Sequence, residues 1–73
     1  MRRIKREDID RQVNVLNNQL EDKGQKARFY VRRANGSYHL ENESGSKDYL
    51  VGMTAREMYD CLRAMNALID EIK

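Results

Sequence analysis

Apolar side chains recur at helical spacing near the start of the chain. Between Arg6 and Asp22 they stand four, three and four residues apart, at Ile9, Val13, Leu16 and Leu20. This spacing places them on one stripe of an α-helix whose other face is polar. Gly24 stands just beyond, where a helix often ends in a left-handed residue. The pattern predicts an amphipathic helix that lies against another element rather than inside a core.

Residues 28–41, RFYVRRANGSYHLE, alternate large side chains around an Asn35-Gly36 pair. Such a pair is the strongest short signal for a hairpin, because a type I′ turn needs positive φ at both central residues. The turn sets the register, in which Arg33 faces Tyr38 and Val31 faces Leu40. One face of the hairpin is then apolar and carries Phe29, Val31, Tyr38 and Leu40. The other face carries Arg28, Tyr30, Arg32, His39, Glu41 and Glu43.

Residues 48–53, DYLVGM, are short, apolar and rich in β-forming side chains. They predict a third strand that runs antiparallel to the second. The pattern leaves open whether Leu50, or Tyr49 with Val51, faces the core.

The clearest local signal in the chain begins the second helix. Thr54 and Glu57 have the spacing of a capping box, in which each side chain satisfies a backbone N–H of the other residue. Met53 and Met58 stand where a hydrophobic staple needs them. The apolar stripe of this helix comprises Met58, Leu62, Met65, Ile69 and Ile72, widened by Tyr59, Cys61 and Leu68.

Together these elements predict an α+β fold in the order helix, three-stranded antiparallel sheet, helix, with both helices on one face of the sheet. The 73 residues make a single domain, 1–73, in which residues 1–6 form a basic N-terminal arm that we expect to be flexible. A chain this short buries only a small core, so a binding partner is a reasonable expectation.

Charge is distributed unevenly, although the net charge is only +2. Residues 1–33 hold ten Lys or Arg against five Asp or Glu, a net of +5, and residues 34–73 hold four against seven, a net of −3. This asymmetry indicates either a basic half that meets a polyanion, or two halves that attract each other within a monomer or across a dimer. We favour the second interpretation.

No constellation of residues points to catalysis. Cys61 and His39 are the only residues of their types, which excludes an intrachain disulfide and argues against a zinc site. The four glycines stand singly at the ends of elements and form no phosphate-binding loop. We therefore expect a non-enzymatic protein without a cofactor.

The basic first residues, MRRIKRED, are not followed by an apolar run, so they do not resemble a signal peptide. No segment approaches the roughly 20 apolar residues of a membrane span. These features predict a cytoplasmic protein with no membrane partner.

Two groups of residues are candidates for an interaction surface. They are the arm and the outer face of the hairpin: Arg2, Arg3, Lys5 and Arg6, with Arg28, Tyr30, Arg32 and His39. In the predicted register Arg28 faces Glu43, and Glu41 lies diagonal to both Arg28 and Arg32. Opposite charges in such positions stabilise a sheet, so these cations are expected to be paired within it. A nucleic-acid platform would instead leave its cations free to neutralise phosphates.

The order of elements and the length resemble the double-stranded-RNA-binding domain. That family places lysines at the start of its last helix to grip phosphates. Here the position reads Thr54-Ala-Arg-Glu-Met58, with a single cation beside an anion, and the tight Asn35-Gly36 turn replaces the family's Gly-Pro-His-type loop. The resemblance implies the topology without the RNA-binding residues.

From Phe29 onward the chain is also similar to small uncharacterised proteins of temperate phages and prophages of low-GC bacteria. The similarity lies in the hairpin from Tyr30 to Leu40, a short strand, and a helix that begins Met53-Thr-x-Arg-Glu-Met-Tyr59 and continues with Leu-Arg-Ala a turn later. It implies an accessory phage protein of the bacterial cytoplasm that engages a host or phage protein. It implies no activity.

The sequence thus favours a non-enzymatic protein–protein interaction module with an unidentified protein partner. The alternative is a nucleic-acid-binding protein that uses the basic N-terminal half and the hairpin. Self-association is a companion hypothesis, because the apolar stripe of the first helix would pack either on its own sheet or on the same helix of a second copy, as a homodimer.

Overall fold

A computed structural model describes residues 3–43 and 48–72 of the chain. The elements are α1 (Arg6–Asp22), β1 (Phe29–Ala34), β2 (Ser37–Asn42), β3 (Asp48–Met53) and α2 (Ala55–Glu71). The three strands form one antiparallel sheet in the order β1-β2-β3. The predicted α+β class and its α-β-β-β-α order are confirmed.

The reversal between β1 and β2 occurs at the predicted pair. Asn35 has φ 53° and Gly36 has φ 78°, the two positive values that a type I′ turn requires. Val31 consequently pairs with Leu40, as the turn predicts. The pairing extends one step beyond the strands, where the Glu43 N–H donates to the Arg28 carbonyl over 2.8 Å.

Strand β3 is irregular, which settles the question that the sequence left open. Leu50 pairs with Leu40, and the register shifts on both sides of this pair, each time by one extra residue of β3. Gly52, with φ 68°, lies at one of these bulges. Leu50 packs against the core, whereas Tyr49 and Val51 are exposed, Val51 by 61%.

Both helices cover the same face of the sheet. Helix α1 contacts β1, helix α2 contacts β2 and β3, and the two helices pack against each other. The buried apolar core draws on both helices and both hairpin strands: Ile9, Val13, Leu16, Val31, Leu40, Met58 and Leu62. The apolar stripe of α1 therefore packs on the chain's own sheet.

The end of α2 departs from its predicted stripe. Leu68 and Ile72 are both more than half exposed. At 100° per residue, Leu68 lies about 90° from the middle of the buried stripe. Ile72 follows the last helical residue and has an extended backbone, with φ −83° and ψ 115°, which turns it off the helix face.

The two helices run in the same direction. Buried Asn66 of α2 donates to the carbonyl and the side-chain oxygen of Gln12 over 3.0 and 3.1 Å, and Gln19 donates back to the side-chain oxygen of Asn66 over 3.2 Å. At the C-terminal ends, the Lys23 ammonium donates to the Ile72 carbonyl. The N-termini of both helices therefore lie at the same end of the molecule, beside the hairpin turn.

Helix α1 also closes the outer edge of β1. The Asn17 side chain accepts from the Phe29 N–H over 2.8 Å and donates to the Phe29 carbonyl over 2.9 Å. About three turns earlier in α1, Arg6 donates to the Val31 carbonyl over 2.7 Å. The Asn17 amide thus makes the two hydrogen bonds that a neighbouring strand would make. Because Asn17 is only 6% exposed, water cannot easily replace these bonds.

Replacing Asn17 by Ala should lower the free energy of unfolding by roughly 2–3 kcal/mol, because both polar backbone groups of Phe29 lose their partner. Chemical denaturation followed by circular dichroism measures the loss. Asn18→Ala, at an exposed position of the same helix, is the matched control. Equal losses for the two variants would contradict the edge-closing role.

The capping box at the start of α2 gives a second prediction. The Glu57 N–H donates to Thr54 Oγ1 over 3.1 Å, and the Thr54 N–H donates to Glu57 Oε1 over 2.9 Å. Thr54→Ala should therefore cost about 1 kcal/mol of unfolding free energy, while Thr54→Ser, which keeps the hydroxyl, should cost only a few tenths. If urea denaturation gave the same loss for both, the hydroxyl would not be the source of the stabilisation.

Candidate interaction groove

An open groove of about 750 Å³ lies where the two helix N-termini meet the hairpin turn. We call it the basic groove. Its lining comes from the segment before α1, the tip of the hairpin and the first turn of α2: Arg3, Ile4, Lys5, Arg6, Arg33, Gly36, Tyr38, Thr54, Ala55 and Arg56. Five of these ten residues are cationic and none is acidic, so the lining favours an anionic ligand.

Among the described residues, the cationic side chains of three of the five form no ion pair with a carboxylate: Arg3, Lys5 and Arg33. The other two form ion pairs along their own helices, Arg6 with Asp10 at 3.0 Å and Arg56 with Asp60 at 3.2 Å. Exposed pairs of this kind are worth only a few tenths of a kcal/mol, so an incoming anion competes easily for Arg56. Arg6 is held more firmly, because its guanidinium also donates to the Val31 carbonyl.

The floor of the basic groove is an aromatic ring with two guanidinium groups above it. The Cζ atoms of Arg6 and Arg33 lie 5.8 and 5.7 Å from the centroid of the half-buried Tyr38 ring, within cation–π distance. Tyr38 lies on the helix-facing side of β2, and Arg33 is its cross-strand partner. The ring therefore holds both guanidiniums near the groove while it packs against the core from below.

The backbone at both helix N-termini contributes less than the side chains. The Lys5 N–H donates to the Asp8 carboxylate over 2.9 Å, and the Thr54–Glu57 capping box occupies the start of α2. The helix dipoles add positive potential at this end. The directional contacts to a ligand, however, come from the arginine and lysine side chains.

The two groups of interaction residues predicted from the sequence, the arm and the outer face of the hairpin, lie at different places in the structure. Arg3, Lys5 and Arg6 come together in the basic groove, with Arg6 already inside α1. Ile4, between them, is half-buried and packs against the core. Arg2 lies outside the described residues.

The hairpin candidates form no part of the basic groove: Arg28, Tyr30, Arg32 and His39. Arg28 forms an ion pair with Glu43 at 3.5 Å, and Arg32 forms one with Glu41. The predicted pairing of these cations within the sheet is confirmed. His39 accepts a long hydrogen bond, 3.4 Å, from the Gly52 N–H.

The outer face of the sheet centres on a buried carboxylate. Glu41 is 8% exposed and accepts hydrogen bonds from the Arg32 guanidinium and from the Tyr30 hydroxyl, the latter over 2.9 Å. The bond from Arg32, and then that from Tyr30, hold the pKa of Glu41 below its ordinary value. The same bonds to Glu41 raise the pKa values of Tyr30 and Arg32. All three groups thus keep their usual charge at neutral pH, as a structural cluster does.

Sequence reasoning missed two members of the basic groove, Arg33 and Arg56. A signal for Arg33 was present, because the predicted register places it on the apolar face of the hairpin opposite Tyr38. A cation at the tip of an apolar face indicates a place where the core ends and a ligand can approach. Arg56 was recognised only as the single cation at the start of the second helix, because nothing local shows that the parallel helices bring it to the same end as the arm.

Neither a metal site nor a membrane span is found in the described part of the chain. Within residues 3–43 and 48–72, no three His, Cys, Asp or Glu side chains cluster as metal ligands would. No helix in those ranges has the length and apolar character to cross a bilayer.

Comparisons with known proteins find no match among family models, curated proteins or solved structures. The basic groove is therefore interpreted from its own geometry.

The buried carboxylate makes stability depend on pH in a defined direction. Because the folded-state pKa of Glu41 is lowered, its contribution is present above the ordinary pKa of a glutamate, about 4.3, and is lost as the pH falls through the folded value. Glu41→Gln should therefore be less stable than the parent at pH 7 and should show a shallower fall in unfolding free energy below about pH 5.

Denaturant titrations at several pH values measure this difference. Glu43→Gln is the matched control, because it breaks an exposed pair on the same strand end. Equal acid profiles for the parent chain and Glu41→Gln would contradict the role of the Arg32 and Tyr30 bonds.

Proposed function

We propose that the chain is a non-enzymatic protein–protein interaction module that binds an acidic segment of a protein partner in the basic groove. The observation that carries the proposal is that five cations line one groove, two of them over the Tyr38 ring. The side chains of three of the five form no ion pair with a carboxylate among the described residues. An arginine guanidinium can donate two parallel hydrogen bonds to one carboxylate, so such a lining both binds an acidic side chain and fixes its orientation.

The size and surroundings of the basic groove favour a short protein segment over a nucleic-acid duplex. Proteins that bind duplexes commonly contact six to ten phosphates spread along the backbone. Here the groove cations are confined to one end of the molecule, and Arg28 and Arg32, which would extend a basic surface along the hairpin, are paired with Glu43 and Glu41.

The non-enzymatic part of the proposal is supported by the kinds of side chain that line the basic groove. Its polar residues are cations, one tyrosine beneath two guanidiniums, and a threonine engaged in a helix cap. None pairs a nucleophile with a base, which is the arrangement that covalent catalysis needs. Binding is the chemistry that such a lining supports.

The resemblance to phage and prophage proteins suggests a host or phage protein of the bacterial cytoplasm as the partner. Self-association remains a companion proposal. Since Ile9, Val13 and Leu16 are buried in the chain's own core, a homodimer would use another surface than the stripe of α1.

Nucleic-acid binding is the second candidate, and the same cations favour it. It differs from the first in salt dependence, because each phosphate neutralised adds nearly one unit to the slope of log affinity against log salt. In this case the basic groove would act without Arg28 and Arg32, which are paired within the sheet.

A charge-neutralising pair tests the proposed function. Arg3→Gln with Arg33→Gln should weaken binding of a fluorescent 12-residue Asp/Glu peptide at least tenfold at 50 mM salt, measured by anisotropy with the full chain, because both cations meet the ligand unpaired. Lys26→Gln with Arg63→Gln removes the same net charge from exposed positions outside the groove and should change affinity less than threefold.

RNA and DNA duplexes of 20 base pairs form the second arm of this experiment. Tighter binding of a duplex than of the peptide, with loss in the Arg3/Arg33 variant, would replace the protein partner by a nucleic acid. An equal effect of both variant pairs would show general electrostatic attraction and no site at the groove.

A further inference from the structure

The floor of the basic groove is apolar, while its rim is charged. Ile4, Tyr38 and Ala55 are half-buried, and each packs on one side against the hydrophobic core and lines the groove on the other. Gly36 stands at the edge with open space where a Cβ would lie, so the wall at the hairpin turn is low. A ligand that approaches the rim cations can therefore also reach apolar surface.

We propose that the basic groove recognises a mixed segment, in which one large apolar side chain stands among carboxylates, rather than negative charge alone. This inference rests on the proposed function and names the chemistry of its partner. The apolar side chain would cover the floor formed by Ile4, Tyr38 and Ala55. The flanking carboxylates would meet Arg3, Lys5 and Arg33 at the rim.

The position of the guanidiniums explains why a carboxylate and an apolar side chain of the same ligand could bind side by side. Those of Arg6 and Arg33 both lie within 6 Å of the Tyr38 ring centroid. A carboxylate that contacts either guanidinium is thus within a side chain's length of the ring. Charge and apolar contact are offered at the same place, over a distance that two or three neighbouring residues of one peptide can span.

The apolar contact should contribute more to affinity than any single ion pair at the rim. Ion pairs at an exposed rim are weak individually and are screened over about 8 Å at physiological salt. Covering one Leu- or Phe-sized side chain removes enough apolar surface from water to change affinity by at least tenfold. The floor should therefore supply selectivity and salt tolerance, and the rim should supply attraction and orientation. A phosphate backbone has no group that could fill the floor.

Two matched peptides test the inference. Each has 12 residues of alternating Glu and Asp, with one central Phe in the first and one central Ser in the second. Anisotropy titration of the full chain should give at least tenfold tighter binding of the Phe peptide at 150 mM salt. Lowering the salt to 50 mM should strengthen the binding of both peptides and leave their ratio nearly unchanged.

Variants of the floor identify where the Phe binds. Ala55→Gln fills the floor at the first position of α2, which tolerates glutamine, and should reduce the Phe advantage to less than threefold. Ile4→Ser should do the same, and its melting curve shows whether it is folded. Val15→Ser, at an exposed apolar position outside the groove, should leave the advantage unchanged.

The outcomes separate the two proposals. Equal affinity for the Phe and Ser peptides, both dependent on Arg3 and Arg33, would overturn the mixed-segment inference and leave the proposed function standing. No binding of either peptide at 50 mM salt would overturn both proposals. If only a nucleic-acid duplex bound under those conditions, the second candidate function would take their place.

Discussion

The backbone conformation of two residues determines most of this structure. Asn35 and Gly36 both adopt positive φ, and the resulting tight turn pairs β1 with β2 without a bulge. A slip of one residue in this pairing would move the side chains of one strand to the opposite face from those of its partner. With the observed register, Val31 and Leu40 enter the core together, and the helices have one apolar surface on which to pack.

Local signals in the sequence were sufficient for the elements and for the hairpin. The turn, the helix ends at Gly24 and Thr54 and the apolar stripe of α1 each depend on neighbouring residues, so the chain itself contains the information. Strand β3 differs, because Tyr49, Leu50 and Val51 are all large and β-forming. Three apolar residues in a row do not show which face of the strand is buried. Only the bulged pairing with β2 places Leu50 in the core.

The candidate site could be predicted only in part, for a physical reason. Its members come from three distant segments, and the parallel helices bring them together. The cations of the arm were visible as a cluster in the sequence, whereas Arg56 reaches the same place only through the packing of α2. Asn17 is a similar case: on the sequence it is one more polar residue of a solvated face, and its bonds to Phe29 follow from the tertiary fold.

The closed edge of β1 has a consequence for how the sheet can grow. A foreign extended chain cannot align with β1 unless α1 first leaves, since Asn17 and Arg6 already hold the outward carbonyls of Phe29 and Val31. On the opposite border, the bulges of β3 interrupt the regular row of donors and acceptors that templated fibril growth requires. The two edge strands are thus protected from pairing with further chains in different ways. At β1 the Asn17 amide takes the hydrogen bonds that a new strand would need, and at β3 the bulges break the regular hydrogen-bonding pattern.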